Sequence, residues 1–157
     1  MPQLLTPQEV IDLAFHDSGY FPAEAIGTAD IAAAEARYLI PVTGEALWQE
    51  LIDGAYPDLR SDYAAPAAAL AVRLLVQPAL DIRPGIGGTV APHTSAAQPP
   101  DREQLLAARR SLRTRLTALL ESLSDHLDRH AADYPEYDPK QNILHRMLIG
   151  GGFVLKR

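Results

Sequence analysis

Two histidines four residues apart, His126 and His130, are the first place to look for chemistry in this chain. On a helix that spacing puts both imidazoles on one face, where they can share a metal ion. Asp125, Asp128 and Asp133 stand close by in sequence. The surrounding pattern fits no familiar metal enzyme. A zinc-protease helix would carry Glu at position 127, which is Leu127 here, and a di-iron bundle needs Glu-x-x-His on two helices. Both histidines also border a leucine stripe, so the plainer reading is partly buried or interface side chains. No metal and no cofactor is expected, with His126 and His130 as the candidate ligands if one binds.

Other candidates fail on context. Pro84-Gly85-Ile86-Gly87-Gly88 has the glycines of a phosphate loop, but it lacks a preceding strand, an immediately following helix and a Gly-Lys-Ser/Thr. Ser18, Ser61, Ser95, Ser111, Ser122 and Ser124 all lie outside any Gly-x-Ser-x-Gly elbow. The chain has no cysteine, which excludes thiol nucleophiles, zinc–thiolate sites and disulfides. Asp125 and Asp128 are an ordinary pair for an exposed helix, and Trp48 reads as a core anchor. No catalytic residue is therefore assigned.

The arginines are more informative. Arg102, Arg109, Arg110, Arg113 and Arg115 crowd one segment, and Arg102, Arg109 and Arg113 share a side. That face suits nucleic acid, an acidic partner or another subunit; otherwise it is a solvated face paired with acids of a neighbouring helix. A net charge of −6 weighs against a protein that coats duplex DNA. The charge is also uneven. Residues 1–83 hold 12 acids and 4 bases, whereas residues 84–157 hold 8 acids and 10 bases. An acidic face of one copy can then meet a basic face of another, which steers association.

These residues need elements to position them, and the pattern is helical. Thr6-Pro7-Gln8-Glu9 is a capping box with proline at the first helical position. Thr28 is placed as the cap of a helix running to about Leu39, where Pro41 should stop it. A third helix follows Thr43-Gly44-Glu45 and closes at Gly54. A fourth spans Pro57 to about Ile82, with Pro66 and Pro78 as awkward interruptions. Pro100-Asp101-Arg102-Glu103 launches the longest helix, to about Ala132. Its Leu105, Leu112, Leu116, Leu119, Leu123 and Leu127 form one stripe. A short helical turn is expected around Gln141–Leu148.

Two segments break the pattern. Residues 84–100, PGIGGTVAPHTSAAQPP, have no helical period and read as a long loop or hairpin arm. Residues 150–157 read as a flexible tail in which Phe153-Val154-Leu155 is a short apolar strand with no evident partner in its own chain. Strand addition to another protein is a known mode for such a segment.

Aromatic residues are only 6% of the chain, so the core must be built from Leu, Ile, Val and Ala. At 157 residues, one domain with a substantial core is expected over 1–157. The amino terminus lacks a basic and apolar secretory pattern. The apolar stretch from Ala64 to Leu80 is interrupted by Pro66, Arg73, Gln77 and Pro78, which predicts no membrane span. The fold class is all-α: a helical bundle with one long helix in its second half, an arm and a tail.

The order of these parts resembles a known family. A Thr/Ala-rich helix Thr28–Leu39 runs into Ile40-Pro41-Val42-Thr43-Gly44, then a short helix ending in Leu51-Ile52-Asp53-Gly54, then a long Ala/Leu helix. A glycine-bearing extended segment with Gly87-Gly88-Thr89-Val90 and Ser95-Ala96-Ala97-Gln98-Pro99-Pro100 precedes the long helix, which ends in Tyr134-Pro135-Glu136-Tyr137. This arrangement resembles the head–tail connector (adaptor, head-completion) proteins of tailed phages and prophages, especially those of Bacteroidetes-type prophages. The likeness covers most of the chain and rests on helix order and loop placement.

The resemblance implies a non-enzymatic subunit of a homo-oligomeric ring between portal and tail-completion proteins. It implies that the arm at Gly87, Gly88, Thr89 and Val90 packs on the next copy or faces the DNA channel. The tail at Phe153, Val154 and Leu155 would reach an adjacent component. An acidic ring suits DNA that must slide without sticking. The location implied is the cytoplasm of a bacterial host, or the virion of an active prophage, with no membrane partner. Arg102, Arg109 and Arg113 are the remaining interaction candidates. The competing readings are a small helical protein-binding or regulatory module and a metal-dependent enzyme using His126 and His130.

Overall fold

The computed structural model describes residues 3–15, 25–81, 83–85, 88–90, 101–146, 148–150 and 153–155. Among these the fold is all-α, with two short antiparallel ribbons. Helix α1 is Pro7–Ala14, and α2 covers residues 28–43. Helix α3 is Glu45–Ile52, α4 is Pro57–Asp81 and α5 is Arg102–Arg129. Strand β1 (Arg83–Gly85) pairs with β2 (Gly88–Val90), and β3 (Leu148–Gly150) pairs with β4 (Phe153–Leu155).

The helix starts follow the local chemistry. Thr6 Oγ1 accepts the Glu9 N–H while the Glu9 carboxylate accepts the Thr6 N–H at 2.8 Å. Asp101 and Gln104 form the same reciprocal pair at the start of α5, at 2.8 and 3.0 Å. At α2 the cap lies one residue earlier than expected. Gly27 is the N-cap, its N–H bonded to the Asp30 carboxylate at 3.1 Å, and Thr28 is the first helical residue.

Pro41 does not stop α2, and Pro66 does not interrupt α4. Each proline is preceded by a π-helical turn, Glu35–Leu39 and Arg60–Ala64. In both, the last N–H before the proline, that of Ile40 or Ala65, bonds to the carbonyl five residues back. The wider turn makes room for the pyrrolidine ring against the preceding turn and absorbs the missing donor. Helix α4 is thus an unbroken 25 residues and, with a best-window mean hydropathy of 1.3, is long and apolar enough to span a membrane by those measures. The expected span from Pro57 to about Ile82 is met, and Pro66 does not break it.

Helix α4 is the hub of the fold, packed against α1, α2 and α5. Its Ala64, Ala65, Ala67, Ala68, Ala69 and Ala71 are buried, and small side chains let neighbouring helices approach closely. A helix apolar on most of its circumference belongs in such a centre. Trp48 fills the core between α3 and its neighbours, with 2% of its surface exposed.

One carboxylate is buried in that core. Glu35, in the π turn of α2, accepts the Leu4 N–H at 2.9 Å and so pins the segment before α1. The Trp48 indole N–H leans toward it without reaching hydrogen-bond geometry. Burial pushes the Glu35 pKa above its ordinary value, against the opposing pull of the Leu4, Trp48 and Leu5 donors.

The tail corrects another expectation. Phe153–Leu155 has a partner in its own chain, Leu148–Gly150, in the register Leu148–Leu155, Ile149–Val154 and Gly150–Phe153. In the 84–100 arm, the start is a ribbon with Pro84 opposite Thr89. Gly87 and residues 91–100 lie outside the described residues.

Candidate functional site

Helix α5 has two unlike halves. From Arg102 to Ser111 every residue but Leu105 is exposed. From Leu112 onward Leu112, Leu116, Leu120, Leu123 and Leu127 are buried against the bundle, with Leu119 half-buried beside them. The leucine stripe therefore outruns the core that covers it, and Leu106, on the edge of that face, is 44% exposed.

The open half faces a groove of about 430 Å³ between α5 and the end of α4. Arg102, Leu105, Leu106, Arg109, Leu112 and Arg115 line it from α5, and Arg73, Gln77, Pro78 and Asp81 from α4. Arg73 is engaged structurally. Its guanidinium donates to the Ala14 carbonyl and lies 4.9 Å from the Phe15 ring centroid. A second shallow hollow of about 270 Å³ is lined by Leu106, Arg109, Arg110 and Arg113. Arg102 and Arg109 thus share the first hollow, Arg109 and Arg113 the second. Residues 104–120 contain Arg109, Arg110, Arg113 and Arg115 and no acid. Among the described residues none of these four forms an ion pair. This surface offers apolar contact flanked by guanidinium donors, the chemistry that receives carboxylates or other anions.

The opposite end of α5 holds the histidine candidates. Tyr63, His126 and His130 form a stack with ring centroids 4.3 and 4.5 Å apart. His126 Nε2 lies 3.1 Å from the Tyr134 hydroxyl, and His130 Nδ1 lies 3.0 Å from the His126 carbonyl. The carbonyl can only accept, so His130 Nδ1 carries a proton. Stacked rings point their lone pairs sideways rather than at a common point, which is poor geometry for a shared metal. Burial lowers the His126 pKa, helped by the neighbouring His130 and Arg129 charges. Among the described residues no group of three or more His, Asp or Glu is arranged around a metal-sized site.

A second constellation on this half of α5 joins residues from two elements and, as a whole, carries no spacing signature in the sequence. His145 Nε2 is 2.8 Å from Asp128 Oδ2 and 3.4 Å from Ser124 Oγ. These are the residue types of a hydrolase triad, but the roles are crossed. In a triad the imidazole takes the serine proton on one nitrogen and donates to the carboxylate from the other. Here the carboxylate and the hydroxyl converge on the same nitrogen, while Nδ1 faces the Pro139 carbonyl at 2.9 Å. The carboxylate therefore does not orient the ring from the far side of the serine, as a triad requires.

The network is a clamp instead. Asn142, fully buried, donates to Ser124 Oγ and to the Tyr137 hydroxyl, each at 2.8 Å, and its Oδ1 accepts the Leu144 N–H at 3.0 Å. Tyr137 in turn donates to Asp128 at 2.8 Å. Burial, reinforced by Asp128, pushes the Tyr137 phenol up to about 12, so it remains a donor. The clamp folds residues 137–146 onto the carboxy-terminal half of α5. Of its members, Ser124 and Asp128 share a helical spacing, whereas Tyr137, Asn142 and His145 join them from beyond α5 with no periodic relation.

The same end is acidic. The Tyr56 hydroxyl donates to Glu136 at 2.9 Å, and its ring meets Tyr134 edge-on at 5.0 Å. Asp58 and Asp133 act on Tyr134, and Asp62 and Asp133 on His126. Arg60 is paired with Glu9 at 2.8 Å, and Arg129 acts on His126.

The class defined by these observations is an all-α bundle built on a central alanine-rich helix, with one long helix partly uncovered. The chain matches the profile of a family of unknown function (DUF6712) over residues 24–147, and it belongs to that family. No curated protein and no solved structure matches it.

Proposed function

We propose that this protein is a non-enzymatic structural subunit that assembles with copies of itself, of the kind that forms the head–tail connector ring of tailed phages and prophages. The observation that carries the reading is the uncovered amino-terminal half of α5. A helix that continues for about ten residues beyond its core, with an apolar edge among arginines that form no ion pair among the described residues, is costly to leave bare and is placed for a partner. The two ribbons, Arg83–Gly85 with Gly88–Val90 and Leu148–Gly150 with Phe153–Leu155, are further elements of a sort that subunits use to reach neighbours. The crossed roles at Ser124, Asp128 and His145 favour a structural network over hydrolysis.

Light scattering on the eluting protein over a wide concentration range tests this. A concentration-dependent rise to a defined oligomer, seen as rings by negative-stain microscopy, supports it. A strict monomer at every concentration would favour the other reading, a small module that captures an acidic segment of a different protein in the α4–α5 groove.

A further inference from the structure

We propose that the groove at the open end of α5 is filled by the acidic end of a second copy of this chain, so that protomers join head to tail; this rests on the self-assembly reading above. Leu106, Arg109 and Arg113 of one protomer meet Asp58, Asp62, Asp133 and Glu136 of the next.

Three observations lead here. First, the two surfaces lie at opposite ends of the antiparallel α4–α5 pair. From Arg113 to His126, the residue on which Asp62 acts, α5 rises about 20 Å at 1.5 Å per residue. That is more than twice the screening length of about 8 Å at physiological salt, so the two ends are largely screened from each other within one chain. Second, the signs are opposite and local. Residues 104–120 carry four arginines and no acid, whereas Asp58, Asp62, Asp133 and Glu136 gather around Tyr56, Tyr134 and His126. Third, each end offers an exposed apolar residue to bury. Leu106 is 44% exposed at the basic end, and Ile143, on the clamped segment folded against the far half of α5, is 47% exposed.

Two different patches meeting in this way form a heterologous contact, which closes into a ring where the rotation between copies permits and otherwise runs on as a filament. Charge steers the encounter and fixes its direction, while the leucine and isoleucine supply apolar burial.

The test is a charge exchange. One variant carries Arg109→Glu with Arg113→Glu, a second carries Asp58→Arg with Asp62→Arg, and all four positions are solvent-exposed. Each variant alone should assemble at least tenfold more weakly than the parent at moderate salt, with an unchanged helical spectrum and melting temperature. Mixed in equal amounts they should recover assembly, because each reversed end then finds a reversed partner. Loss of assembly in the arginine variant but not in the aspartate variant, or no recovery on mixing, overturns the head-to-tail contact and leaves self-assembly standing. A parent protein that never associates overturns both.

Discussion

The two halves of α5 are built from the same leucine repeat and meet opposite fates. In the carboxy-terminal half, Leu123 and Leu127 are fully buried and the helix is strapped by the Asn142 network. In the amino-terminal half the repeat continues through Leu105 to solvent, and the flanking positions are arginine rather than polar neutral residues. Hydrophobic pattern alone shows which side of a helix wants burial. What the neighbouring positions carry shows whether the cover comes from the same chain or from elsewhere.

The comparison can be broken most sharply by truncating one leucine in each half. Leu123→Ala should lower unfolding free energy in urea by about 2–5 kcal/mol, the usual cost of a buried leucine and its cavity. Leu106→Ala should shift it by less than about 0.5 kcal/mol, as for other surface changes, while weakening self-association. A large stability loss at Leu106 would mean that the open half is covered within the monomer.

A smaller loss is expected from the strap. Asn142→Ala leaves Ser124 and Tyr137 short of a partner and should cost about 1–3 kcal/mol. Limited proteolysis should then cut within 137–146 first, leaving the remainder of the bundle intact.

The smallest effect is at the far side of the core. The folded protein holds the Glu35 proton more tightly than the unfolded chain does. Its contribution to stability is therefore fully present below the ordinary carboxylate value near 4.5 and is lost as pH rises through the raised value. Glu35→Gln keeps an acceptor for the Leu4 N–H and should remove that component from the pH profile measured by chemical denaturation. The α5 halves should not respond to this change at all.

Much of the fold was legible in the sequence because local chemistry wrote it there. The boxes at Thr6 and Asp101, the α5 leucine repeat and the arm between α4 and α5 follow from spacing and composition. Pro41 and Pro66 misled, because a π turn upstream of each lets the helix continue, and no pattern in the flanking residues announces that register change. The arginine face was legible as a run of charge, but its openness was not, since exposure depends on where the core ends. The Ser124–Asp128–Tyr137–Asn142–His145 network and the buried Glu35 join residues distant in sequence, and only the folded chain brings them together. The mate of Phe153–Leu155, Leu148–Gly150, is hidden in the sequence because it straddles the end of the turn expected at Gln141–Leu148 and the start of the glycine tail.

The most direct measurement is hydrogen exchange followed along α5 at low and high protein concentration. Assembly through the open half predicts that amides of residues 102–113 become more protected as concentration rises, while those of residues 120–129 stay slow throughout. Exchange in residues 102–113 that is the same at every concentration, in samples shown to be oligomeric, would place the contact elsewhere and contradict the role assigned to this helix end.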